Sequence, residues 1–442
     1  MKSRRIVMVL LTAQAVVASP PPPQVLEFDF PAVHVGFAEY DAGPTGTTVF
    51  YFPARAMAVV DVRGGAPATV LTDLLRLGSE ARMVDAIAFA GGSAYGLSAA
   101  GGVAAEIRDR RQNSGEWRNI AVVPGAIIFD LGERRFNTVS PDEALGRAAL
   151  RAAGPGHFPL GARGAGRFAT QGVYFGARKY SGQGGAFRQA GPTKVAVFTV
   201  VNAVGTVVDR SGQVVRCGHD PAAGPCGPIS EHLSKAARPR GPRAAMARDV
   251  VPTENTTITL VVTNQNLRFQ ELQRLATQVH TSMARAIQPF HTDRDGDTLF
   301  AATTAEVDNP DLAPADLSVL ASEAAWDAVL TSVPPLEPLE TRTIAVTPEL
   351  CAACTGRYEL GPGALLAIHR EGDKLWGEAA GTRPIYAFPL KQRVEILPTS
   401  EVNFIVKGQP EHRLRFLRDG GGRVTGLLLN PGHWQQPARK VQ

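Results

Sequence analysis

The spacing of apolar residues divides the chain into two regions. From Phe28 to about Val333, runs rich in β-branched residues alternate with runs whose apolar residues recur at helical spacing. The first kind, which predicts strands, includes "RAMAVVDVRGG" and "KVAVFTVVNAVGTVVD"; the second kind, which predicts helices, includes "SAYGLSAAGGVAAEIRDRRQ" and "RFQELQRLATQVHTSMARAIQ". This alternation is typical of an α/β domain, which we place at residues 24–333.

Beyond about Thr341 the pattern changes to short strand-like runs separated by turns. They recur at strand-plus-turn intervals as "GALLAIHR", "KLWGEAA", "VEILPTS", "VNFIVKG", "HRLRFLRD" and "VTGLLLNPG". Residues 343–442 are therefore predicted to form a small antiparallel β-barrel or sandwich. A Pro-rich linker, residues 334–342, precedes them, and the stretch from Ser211 to Glu254, rich in Gly, Pro, Ala and Arg, is predicted to be an exposed, mobile loop.

The N-terminus has the features of a secretory signal. In "MKSRRIVMVLLTAQAVVAS" a basic start precedes an apolar run that is too short to span a bilayer, and Val16 and Ala18 provide small residues for cleavage. We predict a signal peptide over residues 1–18 and a secreted or periplasmic protein. A buried N-terminal strand or a membrane anchor is the alternative.

Net charge excludes one class of partner. The formal charge is +5, and Lys2, Arg4 and Arg5 of the predicted signal supply three of those charges. The mature chain is then only about +2, too little for a nucleic-acid footprint. We expect no nucleic-acid partner and no membrane contact of the mature form.

Four cysteines lie in two closely spaced pairs. Cys217 and Cys226 bracket "GHDPAAGP", and Cys351 and Cys354 form Cys-Ala-Ala-Cys. In an oxidising compartment this arrangement predicts two short disulfides. Zinc binding, with His219 beside Cys217, is the alternative, but no second Cys/His pair follows at zinc-finger spacing, so we expect no metal.

The step from Asn255 to Thr256 opens a strongly β-forming run, "TTITLVVT". With alternation of period two, Thr256 shares a face with Ile258, Leu260 and Val262, so its hydroxyl lies on an apolar, core-directed face. If the chain is cut before Thr256, this hydroxyl gains an adjacent α-amine as general base, and the same hydroxyl can cause the cut by attacking the Asn255 carbonyl. A glycosylation sequon or an ordinary strand threonine is the alternative.

Two aspartates stand further along the chain in "RDGDT". Asp295 and Asp297 present carboxylates on one face of an extended stretch, where they could orient a nucleophile and hold an α-ammonium. A solvated glycine turn or a calcium-like loop would have the same sequence.

Several motifs occur in an order that resembles the DmpA-like family of N-terminal-nucleophile hydrolases. That family includes L-aminopeptidase/D-esterase enzymes, β-peptidyl aminopeptidases and nylon-oligomer hydrolase. The motifs cover most of residues 28–333: "GPTGTTVF", "VDVRGGAPATVLTDLL", "VDAIAFAGGSAYGL", "VPGAIIFDL", "GARGAG", "VAVFTVVNAVG", "NTTITLVVTN" and "ARAIQPFHTDRDGDTLFA".

This resemblance implies a four-layer α-β-β-α sandwich, made as a precursor that cleaves itself. Its α part would end at Asn255 and its β part would begin at Thr256, the nucleophile. Asn202 matches the family asparagine that stabilises the oxyanion, and Asp295 and Asp297 match the family's paired aspartates. The resemblance also implies a homo-oligomer and no cofactor.

The chain departs from the family pattern at two positions. Val173 stands where the family has a lysine, with Lys179 or Arg178 as candidate substitutes, and Phe129 stands where some relatives have tyrosine. The C-terminal region, through "CTGRYELGPG" and "VTGLLLNPG", resembles the lipocalin-like barrel of β-lactamase-related hydrolases.

These observations predict an exported, self-cleaving N-terminal-threonine amide hydrolase. Its simplest activity is that of an aminopeptidase that releases N-terminal residues from short peptides or amino-acid amides. A non-catalytic exported protein that binds a ligand on a degenerate hydrolase fold is the rival.

Overall fold

The computed structural model describes residues 24–441 apart from 77, 80–82, 133–134, 177, 219–225, 237–254, 336–338, 340, 433 and the side chain of Cys351. The predicted signal peptide, much of the predicted loop before Thr256 and part of the predicted linker lie outside the described residues. None of the helices within the described ranges is long and apolar enough to cross a bilayer.

Sixteen strands lie in the described part of the N-terminal domain. They are β1 Val25–Glu27, β2 His34–Tyr40, β3 Thr45–Val62, β4 Thr69–Val70, β5 Met83–Ala90, β6 Gly125–Ile127, β7 Gly154–Pro155, β8 His157–Pro159, β9 Thr170–Gln171, β10 Lys179–Tyr180, β11 Gln183–Ala190, β12 Thr193–Asn202, β13 Thr206–Val207, β14 Thr256–Gln265, β15 Ile287–Gln288 and β16 Thr298–Val307. The described α-helices of this domain are α1 Ser98–Arg110, α2 Glu143–Arg151, α3 Ile229–Ala236, α4 Phe269–Ser282 and α5 Pro314–Thr331.

Ten of these strands form one sheet in the order β11-β12-β14-β16-β3-β5-β6-β4, with β2 paired to β3 and β7 paired to β2. Strand β3 joins its two halves: Thr45–Tyr51 pairs with β2 and β5, and Met57–Val62 pairs with β16. The β3–β5 register shifts between Tyr51 and Ala56, and Arg55 in this stretch has a left-handed φ of 63°. Such an irregularity bends a long strand, and the two halves of the sheet face each other.

Aromatic side chains fill the space between the two halves. Phe50 lies 5.0 Å from Phe198, and Phe89 lies 6.0 Å from Phe300, measured between ring centroids. Helices α4 and α5 cover the outer face of one half, and α1 and α2 cover the outer face of the other. The predicted four-layer α-β-β-α sandwich is confirmed.

The period-two alternation predicted for β14 is also confirmed. Ile258, Leu260 and Val262 point into the core between the sheet halves, whereas Val261 packs on the side of α4 and α5. All ten residues of the strand are buried, as expected for a central strand covered on both faces.

The C-terminal region is a closed antiparallel barrel. Its strands are β17 Gly356–Gly361, β18 Ala364–Glu371, β19 Lys374–Ala379, β20 Val394–Pro398, β21 Asn403–Val406, β22 Gln409–Arg418, β23 Val424–Leu429 and β24 Gln436–Lys440. They follow one another around the barrel, and β17 pairs with β24 to close it. A short helix, α6 Pro348–Cys354, precedes the barrel and packs against its core.

One of the two predicted disulfides is confirmed. Cys217 and Cys226 are bonded, with their Cα atoms 5.6 Å apart. Cys354 is buried in the core of the barrel. The side chain of Cys351 lies outside the described residues, so that pairing stays a prediction, and His219 lies outside them too.

Candidate active site

Thr256 is the first residue of β14, which lies between β12 and β16 in the sheet. Its side chain is buried, and its hydroxyl Oγ1 donates a hydrogen bond of 2.6 Å to the carbonyl oxygen of Asn255. The hydroxyl therefore lies beside the carbonyl group of the peptide bond that precedes it. An attack on that bond would need a hydroxyl in this neighbourhood.

A second donor holds the same carbonyl. The backbone N–H of Gly296 donates to the Asn255 oxygen at 2.8 Å, and the Asn255 N–H donates to the Arg294 oxygen at 3.0 Å. Donors placed at a carbonyl oxygen stabilise the negative charge that develops there during acyl transfer. The residue between the two aspartates thus supplies a hydrogen-bond donor to this carbonyl, which sequence reasoning missed.

Asn202 ends β12 and stands directly across from Thr256 in the antiparallel pair β12–β14. Two backbone groups orient its buried side-chain amide. Its Nδ2 donates to the Phe129 carbonyl at 3.0 Å, and its Oδ1 accepts from the Thr170 N–H at 3.1 Å. The amide plane is fixed before any substrate binds.

Asp295 is fully buried beside this pair. Its carboxylate accepts hydrogen bonds from the Val204 N–H at 3.0 Å and from the N–H and hydroxyl of Thr292 at 3.2 and 2.6 Å. Burial, and next the nearby charge of Asp297, raise the pKa of Asp295 to about 6. A carboxyl group with that pKa exchanges its proton close to neutral pH.

Asp297 is also fully buried, and it holds the start of β14. Its Oδ1 accepts from the Thr257 N–H at 2.8 Å, and its Oδ2 contacts the N–H and Nδ1 of His291, each at 3.0 Å. Both aspartates are thus hydrogen-bonded inside the protein, which is not the solvated turn that the sequence alone left open. Among the described residues, no group of three or more His, Cys, Asp or Glu could hold a metal ion.

The segment after β3 clamps both aspartates through its backbone. The N–H groups of Arg63 and Gly64 donate to the Asp297 carbonyl at 3.0 and 3.2 Å, and that of Ala66 donates to the Asp295 carbonyl at 2.8 Å. A Cβ on Gly64 would lie 2.2 Å from the Asp297 nitrogen. Glycine is required at this position because the two backbones approach so closely.

Two histidines lie behind Asp297. His280 is buried with its Nδ1 3.0 Å from Asp61 Oδ2, and its ring centroid lies 4.3 Å from that of His291. Burial lowers the pKa of His280, although Asp61 acts in the opposite direction. The closeness of His291 to "DGD" in the chain could have indicated its contact with Asp297, but nothing in the sequence marks the contact between Asp61 and His280.

The two departures from the family pattern lie at the border of the site. Phe129 contributes its carbonyl to Asn202, as described above. Val173 follows β9 in a turn held by hydrogen bonds from the Gly172 and Tyr174 N–H groups to the Gly205 and Val204 carbonyls. Lys179 pairs with Gln171 across β9 and β10; burial lowers its pKa, and Glu411 of the barrel acts in the opposite direction.

The sequence profile of peptidase family S58 matches residues 28–353. The chain belongs to this family. The resemblance to DmpA-like hydrolases is confirmed, and this S58 peptidase is an enzyme. Barrel strands β17 to β24 lie beyond the matched residues.

Two relatives are similar to this S58 peptidase over most of their length. A 6-aminohexanoate-oligomer endohydrolase of Paenarthrobacter ureafaciens is 42% identical over 322 residues, which are 70% of this chain and 85% of that protein. An uncharacterized aminopeptidase of Mycobacterium bovis is 37% identical over 277 residues, which are 62% of this chain and 78% of that protein.

Solved structures with similar folds include a β-aminopeptidase of Burkholderia sp. and an L-aminopeptidase D-Ala-esterase/amidase of Ochrobactrum anthropi. The first has a TM-score of 0.49 and 19% identity and covers 69% of this chain and 84% of its own. The second has a TM-score of 0.47 and 15% identity and covers 72% of this chain and 86% of its own.

Proposed function

We propose that the chain is an exported amide hydrolase that cleaves itself between Asn255 and Thr256 and then uses the new N-terminal threonine as its nucleophile. The observation that carries the proposal is the Thr256 hydroxyl, 2.6 Å from the Asn255 oxygen, with the Gly296 N–H on the same oxygen. Membership of peptidase family S58 supports it.

Self-cleavage begins when the Thr256 Oγ1 attacks the Asn255 carbonyl carbon. The peptide C–N bond breaks, the Thr256 nitrogen takes the proton that the hydroxyl loses, and an ester remains. Water then hydrolyses the ester, which leaves a carboxylate on Asn255 and a free α-amine on Thr256. During the attack the Gly296 N–H stabilises the oxyanion.

Turnover uses the same hydroxyl with a new base. The free α-amine of Thr256 takes the hydroxyl proton as Oγ1 attacks the substrate carbonyl, and it returns that proton to the leaving amine. The amide of Asn202 donates to the substrate oxyanion. Asp297 holds the Thr257 N–H, and Asp295 provides negative charge near the new α-ammonium. Water releases the acyl group.

The substrate class we propose is short peptides and amino-acid amides, from which the enzyme releases N-terminal residues. A second candidate is internal cleavage of amide oligomers, since a relative with 42% identity is a 6-aminohexanoate-oligomer endohydrolase. Aminoacyl amides, β-aminoacyl amides and 6-aminohexanoate oligomers, each with a free or an acetylated N-terminus, separate these activities. Loss of turnover on acetylation indicates an aminopeptidase, and its persistence indicates an endohydrolase.

Intact-mass measurement with a denaturing gel tests the proposal first. The expected result is two fragments that separate between Asn255 and Thr256. Thr256→Ala is expected to remain a single chain with background turnover, whereas Thr256→Ser, which keeps a hydroxyl, is expected to cut and retain part of the activity. A wild-type chain that stays uncut, or a Thr256→Ala variant that still splits at this bond, would contradict the proposed nucleophile.

The same measurement addresses the rival, a non-catalytic exported protein that binds a ligand on this fold. Such a protein would persist as one chain and would bind amides without releasing products.

Export and assembly belong to the proposal as well. We expect a mature N-terminus at Ser19 by N-terminal sequencing and a homo-oligomer of processed units by size-exclusion chromatography with light scattering.

A further inference from the structure

The barrel contacts both of the segments that orient Asn202. The amide of this residue is held by the Phe129 carbonyl and by the Thr170 N–H. Phe129 begins a segment whose described residues, 129–132 and 135–136, reach the barrel at Phe136. Thr170 lies in the two-stranded sheet β9–β10, which the barrel also touches. The barrel strands, which lie outside the family match, thus contact the two segments that hold the predicted oxyanion donor.

The first contact is at Phe136. Its N–H donates to Gln436 Oε1 at 3.1 Å, and its ring lies 5.2 Å from that of Tyr386. The guanidinium of Arg383 lies 5.1 Å from the centre of the Phe136 ring and donates to the Gly132 carbonyl at 2.8 Å. Three barrel side chains therefore hold this end of the segment.

The segment transmits this contact because it is internally tied. Arg135, beside Phe136, is buried, and its Nε and Nη2 donate to the carbonyl and to Oδ1 of Asp130 at 3.0 and 2.9 Å. Asp130 directly follows Phe129. A shift of Phe136 would disturb this buried ion pair and, through it, the Phe129 carbonyl.

The second contact is at Trp434. Its indole is buried, with its centroid 4.9 Å from that of Phe168, and it packs nearly perpendicular to the ring of Tyr180. Tyr180 is the strand partner of Thr170, and Phe168 is two residues before it. Trp434 thus contacts two residues next to the backbone N–H that donates to Asn202: the strand partner of Thr170 and the residue two positions before it.

We propose that the C-terminal barrel is a positioning element that fixes the side-chain amide of Asn202 for oxyanion stabilisation. This inference rests on the function proposed above. It assigns the barrel to turnover and not to self-cleavage, because the Asn255 carbonyl is held by Gly296, in a segment clamped by residues 63–66 of the N-terminal domain. A variant that loosens the barrel contact is expected to cut normally and to turn over slowly.

The experiment uses the full-length chain with Trp434→Ala, the conservative Trp434→Phe and the control Trp376→Ala. Trp376 is a tryptophan of barrel strand β19 whose strand partners are His369 and Glu395. For each variant we would measure the extent of self-cleavage, kcat and KM on the best amide of the substrate panel, and the thermal unfolding midpoint. Phe136→Leu, at the other contact, is the second test should Trp434→Ala fail to fold.

Trp434→Ala is expected to lower kcat about 10- to 100-fold, as a displacement of a positioning contact does, with KM changed less than about threefold. Trp434→Phe should recover most of kcat, and Trp376→Ala should keep it. Asn202→Ala should lower kcat about 100- to 1,000-fold, like the removal of one oxyanion donor. Because the barrel would act only through that amide, the double variant Asn202→Ala/Trp434→Ala should be no slower than Asn202→Ala alone.

A readout that does not need turnover separates failure of this inference from failure of the proposed function. The side-chain amide signals of Asn202 in a ¹⁵N correlation spectrum, identified by their loss in Asn202→Ala, should shift or broaden in Trp434→Ala and stay in place in Trp376→Ala. Unmoved signals, or kcat losses that multiply in the double variant, would overturn the positioning role. If the wild-type protein shows no amide turnover but Trp434→Ala still moves the Asn202 signals, the positioning role is retained and the proposed function is rejected.

Discussion

At the scale of single residues, the site is built from close backbone approaches around Thr256. The hydroxyl lies within hydrogen-bond distance of the carbonyl it would attack, and Gly296 reaches the same oxygen through its N–H. Glycine at 296 leaves room for both groups. This crowding makes the hydroxyl of Thr256, the proposed nucleophile, sensitive to the addition of a single methyl group at residue 296.

Gly296→Ala is expected to block self-cleavage and turnover. Its Cβ would lie 2.7 Å from the Thr256 Oγ1 and 2.6 Å from the Ala66 carbonyl, so the hydroxyl or the backbone must move. Gly101→Ala is the matched control, since a Cβ on that residue of α1 meets nothing within 4 Å and alanine favours a helix by about 0.5–1 kcal/mol. A denaturing gel and an amide assay score both variants. Normal cutting by Gly296→Ala would show that this backbone group is not required.

The raised pKa of Asp295 predicts that the protein loses stability as the pH rises, which is the opposite of what a carboxylate with a lowered pKa contributes. Burial raises its pKa from 3.8 to about 6 in the folded chain, so between pH 4 and 6 the folded state keeps a proton that the unfolded state releases. The proton bound to Asp295 therefore stabilises the folded chain at low pH, and this contribution to the free energy of unfolding is lost as the pH rises through that window. Other carboxylates, such as Asp61, have lowered pKa values and oppose this trend.

The comparison of Asp295→Asn with its parent isolates that contribution. Both are made in the uncut Thr256→Ala background, and unfolding in denaturant is measured from pH 4 to 7. We expect the free energy of unfolding of the Asn variant, relative to the parent, to increase with pH. A difference that stays constant, or that falls, would show that the charge of Asp295 is not disfavoured in the folded chain.

At the scale of elements, the segment between β6 and α2 depends on one buried ion pair. Arg135 and Asp130 are both fully buried, and the Asp130 carboxylate also accepts from Thr45 and from the Gly92 N–H. Removing the arginine would leave a charge in the protein interior with part of its hydrogen bonds. Removing one partner of a buried ion pair costs far more stability than the intact pair contributes, because it leaves an uncompensated buried charge.

Arg135→Met is expected to lower the free energy of unfolding by about 3–5 kcal/mol. The double variant Asp130→Asn/Arg135→Met should recover part of that loss, because no uncompensated charge remains. Arg76→Met, which removes an exposed pair with Asp73, should change the same free energy by less than about 1 kcal/mol. Equal losses at the buried and the exposed pair, measured by denaturant unfolding, would contradict the argument.

The sequence predicts some elements and site residues, whereas others depend on contacts between distant parts of the chain. Thr256, Asp295 and Asp297 stand in local motifs, and the alternation around Ile258 places the hydroxyl on the inner face, so these features can be read from the chain. The holders of Asn202 cannot, because the Phe129 carbonyl and the Thr170 N–H are backbone groups 73 and 32 residues away. The choice between barrel and sandwich also stays open in the sequence, since it depends on the pairing of β17 with β24.

At the scale of the whole molecule, the bond between Cys217 and Cys226 closes a short loop in the part of the chain before the predicted cut. A disulfide that closes a loop of this length contributes about 2–3 kcal/mol by restricting the unfolded chain. Cys217→Ser/Cys226→Ser should lower the free energy of unfolding by that amount and leave self-cleavage intact. Reduction of the wild-type protein should reproduce the loss, and an identical stability of both forms would contradict the prediction.

The strand order has a consequence for the life of the protein after cleavage. In β12-β14-β16-β3 the central strands come from the part after Asn255, and the flanking strands come from the part before it. The two fragments are joined in the sheet by the pairs β12–β14 and β16–β3, so the cut leaves the sheet whole. Once unfolded, however, the two pieces would have to find each other in solution, and the recovery of the fold becomes dependent on concentration. Cleavage would in that way turn refolding from a process of one chain into the association of two.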